Sequence, residues 1–194
     1  MASDGPWMTA ANEGRLYAVP MGKEKYVRFE PGSVTCLGTR DLKSCTAVLL
    51  VSTTAAVLAH VTPSCGEPGA KSEDHFGRKM LHFMEIVNAN RRDFQNKGAQ
   101  SCVAYAINDD GDWDEEMLRV TKKMFEKNMR VPFEKIDYFA PKRGINHPPD
   151  GTVLIDPAGG EPKIYVEDRF IFQVKEPMAE TSGAQTDEQS QSGE

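Results

Sequence analysis

No stretch of this chain approaches the roughly 18 consecutive apolar residues needed to cross a bilayer. The longest apolar run, Cys45 to His60, is broken by Ser52, Thr53 and Thr54, so no membrane interaction is expected. The features of a secretory leader are missing too. Met1 to Ala10 contains Asp4 and Pro6 and has no basic start followed by an apolar stretch. The expectation is a reducing setting, cytoplasmic or nuclear, in which the four cysteines are thiols rather than disulfides. Positive charge is scarce: 23 Lys and Arg stand against 29 Asp and Glu, a net charge of −6. That balance argues against nucleic-acid partners, because phosphate contacts need clustered cations. Zinc-type spacings are absent as well. Cys36, Cys65 and Cys102 are scattered, with no C-x₂-C or H-x₃-H pattern, so neither a metal nor a cofactor is expected. Asp109, Asp110, Asp112, Asp114 and Glu116 lack the twelve-residue arrangement of a calcium loop ending in Glu. An acid-rich helix start is the simpler account of them.

What remains is an ordinary globular composition. The 194 residues are 39% hydrophobic and 27% charged, enough for one domain with a sizeable core. Residues 1–13 are polar and unpatterned and read as a flexible N-terminus. Residues 176–194 hold almost no large apolar side chain, cannot offset chain entropy by burial, and read as a disordered acidic tail. The folded unit is expected over residues 14–175.

Inside it, Arg15 to Pro20 and Tyr26 to Phe29 read as short strands, followed by a turn at Pro31-Gly32. Cys45 to Val51 is continuously apolar and β-branched, as befits a strand covered on both faces. Ala55 to Val61 reads the same way, and the short polar link between them predicts a hairpin of central strands. Pro63 to Ser72 is a Pro/Gly-rich loop. Phe76, Met80, Phe83, Met84 and Val87 recur at helical spacing and predict a helix over Ser72 to Asn96, begun by Ser72, Glu73 and Asp74. Cys102 to Ile107 is a third buried strand, Asp114 to Asn128 a second helix, and Lys135 to Phe139 another strand. Val153 to Asp156 and Lys163 to Glu167 flank Gly159-Gly160, a hairpin signal, and Phe170 to Val174 closes the domain. The expected class is α+β: a mixed or antiparallel sheet with a sandwich-like core, carrying two main helices on one face.

The one reactive-looking group is Cys45. Thiol catalysis needs a thiolate, a base to form it, and donors for the oxyanion that follows. Cys45 follows the polar segment Thr39 to Ser44 and opens a buried strand, which holds its backbone while the thiol faces the sheet rim. His60 lies fifteen residues on, at the far end of the next strand, and a hairpin brings the two together. Lys43 would favour the thiolate by Coulomb attraction. The same residues also fit a small buried hydrophobe and a satisfied core histidine. His75 and His82 share a face of the first helix and fit surface or partly buried positions. Lys142 to Pro149, with Asn146 and His147, is a long polar loop that either overhangs the site and contacts substrate or is simply exposed. Cys36 and Cys65 bracket Cys45 in sequence and read as free thiols, with a redox pairing to Cys45 as the other option.

The segments Tyr17-Ala18-Val19, PGSVTCLGTRDLKSCTAVLL and VLAHVTP resemble the chemotaxis-receptor glutamine deamidases. Those carry a Tyr-Ala-Val segment, a Pro-Gly turn, a Thr six residues before a Ser-Cys nucleophile, and an Ala-His strand. Leu37-Gly38-Thr39 spaced six residues before Cys45 also resembles the protein N-terminal asparagine amidohydrolases. Both families share a thiol amidohydrolase fold with the bacterial cytotoxic necrotizing factors. The order of elements after His60 agrees, so the resemblance spans most of residues 14–172. It implies Cys45 as nucleophile, His60 as general base then acid, and Thr39 as the residue that orients the imidazole. It further implies hydrolysis of a Gln or Asn carboxamide in a protein substrate, with the oxyanion held by backbone N–H groups near Ser44 and Cys45. The chain departs from the receptor deamidases at Lys43, where they have Gly, and at Asn108 to Asp112, where they have a Gly-Gly turn. Two other readings stay open: a catalytically silent relative that binds a protein partner through the same face, and a redox-sensing thiol domain.

Overall fold

The structure, a computed structural model, describes residues 5–30, 32, 35–63, 72–95, 97–107, 115–139 and 151–176. The apolar run at the centre of the sequence forms two strands, β4 (Thr46–Val51) and β5 (Ala55–Val61), and every residue of both is buried. They pair antiparallel, with Thr46 opposite Val61, Ala47 opposite His60, and Val51 opposite Ala56. The polar link between them is fastened at its far side. Ser52 and Thr54 hydroxyls both donate to the Asp93 carbonyl, at 2.6 and 2.8 Å.

Strand β2 (Glu24–Arg28) adds antiparallel to β5, and β6 (Gln100–Ile107) antiparallel to β4. Strand β7 (Phe133–Phe139) then adds parallel to β6, giving a five-stranded sheet in the order β2-β5-β4-β6-β7. Among the described residues a second five-stranded sheet has the order β1-β3-β8-β9-β10, from β1 (Leu16–Ala18), β3 (Cys36–Thr39), β8 (Val153–Asp156), β9 (Lys163–Val166) and β10 (Arg169–Gln173). Both sheets are mixed, since β1 runs parallel to β3 and the remaining pairs of that sheet are antiparallel.

The period of two along each central strand explains the layers. Ala47, Leu49, Val51, Ala56 and Leu58 face the second sheet and pack against Leu37, Val153, Ile155, Ile164 and Val166. Val48, Leu50, Val57, Ala59 and Val61 face the other way, onto Phe76, Met80, Phe83 and Val87 of helix α2 (Ser72–Ala89) and Phe125 beyond helix α3 (Glu115–Lys123). Each buried Val, Leu, Ile, Phe or Met among them contributes about 1.5–3 kcal/mol, so both faces of the central hairpin are strongly fixed.

The α+β class stands, with two mixed sheets instead of the single sheet read from the sequence. Four strands of the second sheet were read from the sequence, but their short lengths, three to five residues each, carry no sign that they form a layer of their own. The fifth, β3, falls in a segment read only as a turn and a polar approach to Cys45. Residues 6–12 correct the expectation of a flexible N-terminus. They form helix α1 (Pro6–Asn12), with Pro at its first turn and Trp7 and Ala10 buried. The Trp7 backbone N–H donates to Asp168 Oδ1 at 2.9 Å. The Trp7 ring lies over Gly38, where an added Cβ would come within 2.5 Å of the ring and 2.7 Å of the Val153 carbonyl oxygen. Helix α2 also stops earlier than expected. Past Ala89, the Asn90 side-chain Nδ2 donates to the Ile86 carbonyl at 2.8 Å, and a single 3₁₀ turn follows over Arg91–Asp93. Helix α3 widens into a π turn over Met124–Met129 and ends at Arg130, whose φ is +57°. Gly159 and Gly160 both take positive φ at the β8–β9 turn, as the hairpin signal required. Residues 1–4, 64–71 and the tail from 177 lie outside the described residues.

Candidate functional site

The two sheets meet at one end of the sandwich around His60. By the alternation of β5, its ring lies on the same side as Ala56 and Leu58, towards the second sheet. There Thr39, the last residue of β3, meets it: Thr39 Oγ1 lies 2.7 Å from His60 Nδ1. The same hydroxyl donates to the Val19 carbonyl at 2.9 Å. A hydroxyl has one hydrogen, and with that hydrogen on the Val19 carbonyl it can only accept from the imidazole. The neutral ring therefore carries its proton on Nδ1, and Nε2 keeps its lone pair. Among the described residues Nε2 has no hydrogen-bond partner, although it is buried.

The backbone of His60 is held as tightly as its ring. Its N–H donates to the Lys23 carbonyl at 2.9 Å, and its carbonyl accepts from the Gly22 N–H at 2.9 Å. The ring is 1% exposed. Burial lowers its pKa from the ordinary value, and the Asp41 carboxylate opposes that shift without cancelling it.

Cys45 stands immediately before β4, on the inter-sheet side with Ala47 and Leu49. The register puts Ala47 opposite His60, so Cys45 is the diagonal neighbour of the histidine on the same face. Such neighbours have Cα atoms about 7–8 Å apart, within reach of one another's side chains. The residue is 6% exposed, and burial raises its thiol pKa above the ordinary value. The site thus rests as neutral thiol and neutral imidazole, with no preformed ion pair and no hydrogen bond between them.

The main chain entering Cys45 is unusual. Asp41 and Lys43 have φ of +60° and +26°, a region that residues with a Cβ rarely adopt. The turn is closed by the Cys45 N–H donating to the Leu42 carbonyl, and the Leu42 N–H donates to the Gly151 carbonyl at 3.1 Å. Gly151 itself has φ +62°, and a Cβ there would lie 3.0 Å from the Leu42 nitrogen. Lys43 and Ser44 are exposed at the tip of this turn. Among the described residues no acceptor meets their N–H groups.

Cys45, His60 and Thr39 are thus brought to one place, with Lys43 and Ser44 beside them. The Cys45 N–H is committed to the turn, which corrects its assignment as an oxyanion donor. Asn146, His147 and the rest of the 140–150 loop lie outside the described residues, as do Cys65 and Asp109 to Asp114. Cys36, Cys45 and Cys102 are free thiols. Cys36 belongs with Trp7 and Leu154 on the outer face of its sheet, so the sheet itself separates it from Cys45 and a direct redox pairing is ruled out. His75 is buried beside Thr62, 3.0 Å from Nε2 to Oγ1, while His82 is exposed and 3.3 Å from Glu24. Neither joins the site. Among the described residues no cluster of His, Cys, Asp and Glu could hold a metal ion, and no helix is long and apolar enough to cross a membrane.

Sequence reasoning missed two groups. One is the Val19 carbonyl, which fixes the tautomer and belongs to the Tyr17-Ala18-Val19 segment. The other is Tyr138 of β7, fully buried, whose single phenol hydrogen is shared between the carbonyls of Leu42, 2.8 Å away, and Cys45, 2.5 Å away. A tyrosine among strand residues carries no local signal of such a reach. No protein-family model matches the chain, and no curated protein matches it.

Proposed function

We infer that this protein is a cysteine-dependent amidohydrolase that cleaves a Gln or Asn side-chain carboxamide in a protein substrate. The observation that carries the reading is the Thr39–His60 hydrogen bond. It fixes the proton on Nδ1 and leaves the Nε2 lone pair on the face that holds Cys45. A thiol raised by burial needs such a base at the moment of attack.

In this mechanism Nε2 takes the Cys45 proton as Sγ bonds to the carboxamide carbon, and the carbonyl π electrons move onto oxygen. The N–H groups of Lys43 and Ser44 are the available donors to that oxyanion. The C–N bond then breaks, the Nε2 proton passes to the departing nitrogen, and ammonia leaves a thioester. Water attacks the thioester carbon and gives a proton to Nε2. The C–S bond breaks, the sulfur recovers its proton, and the products are a carboxylic acid and ammonia.

The backbone supports the resemblance to the receptor deamidases at the position where the residue departs from it. Their Gly is replaced by Lys43, yet Lys43 holds a positive φ, the conformation that glycine adopts at no steric cost. The absence of a thiol–imidazole hydrogen bond also fits, since catalytic hydrogen bonds often tighten only around bound substrate.

The test is ammonia release from Gln- and Asn-bearing peptides with blocked termini, paired with capture by a chloroketone analogue of glutamine. The chain is expected to release ammonia and to be labelled at Cys45, while Cys45→Ser does neither. A chain that releases no ammonia and takes no label at Cys45 overturns the reading in favour of a silent binding module.

A further inference from the structure

The ladder between β4 and β6 runs from Val51 opposite Gln100 to Ala47 opposite Ala104 and ends there, two residues short of Cys45. Continued, it would set Cys45 against Ala106, the residue paired with Tyr138 in the adjoining ladder. The Cys45 carbonyl therefore leaves the sheet just where the nucleophile begins, and a buried carbonyl cannot be left without a partner at low cost. Tyr138 supplies that partner from one strand further out. Its phenol spans the gap and reaches both carbonyls of the turn, those of Leu42 and Cys45. The Leu42 carbonyl also accepts from the Cys45 N–H. One hydroxyl thus ties together both ends of the four-residue turn that presents the thiol.

We propose that Tyr138 is the positioning residue of the nucleophile: its phenol locks the Leu42–Cys45 turn, aims Sγ at the His60 side, and leaves the Lys43 and Ser44 N–H groups facing outward. The inference rests on the thiol reading of the same site, but it is read out at the thiol and needs no amide substrate. Tyr138 touches neither Sγ nor the imidazole through any hydrogen bond. It acts through the main chain. The strained φ values of Asp41 and Lys43 explain the need for it, since such a turn persists only when its surroundings over-determine it.

The experiment is the pH dependence of Cys45 alkylation by iodoacetamide in the full chain, in Tyr138→Phe and in His60→Ala. With His60 acting as base, the parent alkylates at pH 7 faster than burial of the thiol alone allows, and His60→Ala loses that advantage. Tyr138→Phe is expected to behave like His60→Ala. Its rate at pH 7 falls about tenfold to a hundredfold, while its rate on the alkaline plateau, where the thiolate forms without help, does not fall. General destabilisation would not change that ratio in the folded protein. An unchanged ratio of the two rates in Tyr138→Phe overturns the proposal. If the parent itself shows no advantage over His60→Ala, the base assignment fails instead. Should Tyr138→Phe not fold, amide hydrogen exchange on the unaltered chain decides. A protected Cys45 N–H beside freely exchanging Lys43 and Ser44 N–H groups supports the locked turn, and a freely exchanging Cys45 N–H overturns it.

Discussion

Strand β3 and the turn after it carry two buried thiols whose surroundings differ instructively. Cys36 has the ionic company usually sought around a reactive cysteine: Arg15 Nη1 lies 3.0 Å from its sulfur. Yet burial, and after it the nearby Asp156 carboxylate, outweigh that guanidinium and push the thiol up to about 12. Among the described residues Cys45 has no ionic partner, and burial raises it. What it has is an imidazole with a free lone pair on its own side of the sheet. A cation near a thiol does not make a nucleophile when desolvation and a carboxylate oppose it. A base on the correct face can do so at the moment it is needed.

The sharpest test of this contrast is to remove each sulfur in turn. Cys45→Ser is expected to lower carboxamide hydrolysis about ten-thousand-fold, whereas Cys36→Ser, on the outer face, leaves turnover within about twofold. Equal losses in ammonia release would erase the distinction between the two thiols. His60→Ala follows, with an expected fall of about a thousandfold in kcat and little change in KM. Thr39→Val preserves shape but removes the acceptor for the Nδ1 proton. It is expected to cost about tenfold to a hundredfold in kcat and about 1–3 kcal/mol in denaturant stability, because the buried Val19 carbonyl and Nδ1–H both lose a partner.

The smallest effect concerns pH. In the proposed mechanism the active form of His60 is neutral, and its pKa lies below the usual value of about 6.5. Hydrolysis should therefore rise as pH climbs through that depressed value and stay level through neutrality, because the raised Cys45 thiol remains protonated there. Stability follows the same direction. Between the two pKa values the unfolded chain binds the proton and the folded one does not, so stability falls as pH drops below about 6.5. A rate profile that declines towards neutrality from an acidic maximum would contradict the assignment of His60 as base.

The sequence disclosed the parts of this arrangement that depend on neighbours along one hairpin. Continuous apolar character marked β4 and β5 as central, and the hairpin between them brought Cys45 near His60; that the two share a face follows from the strand register. The contacts between sheets were out of reach. Thr39 was assigned only through resemblance, because nothing in its spacing from His60 shows that β3 belongs to an opposing layer. Tyr138 and the Val19 carbonyl are in the same position, since each acts across strands distant in the chain. Helix α1 was missed because its seven residues are mostly small or polar, and its order comes from Trp7 packing over Gly38 and from Asp168 at its start.

The bond between Thr39 and His60 also links the chemistry to the integrity of the sandwich. Its two partners belong to different sheets, so the imidazole keeps its tautomer only while those sheets remain docked. Any loosening that lets reagents reach the sulfur from between the layers removes the base in the same motion. A partly unfolded chain thus trades a thiol with a base on its own face for an ordinary exposed cysteine that ionises unaided.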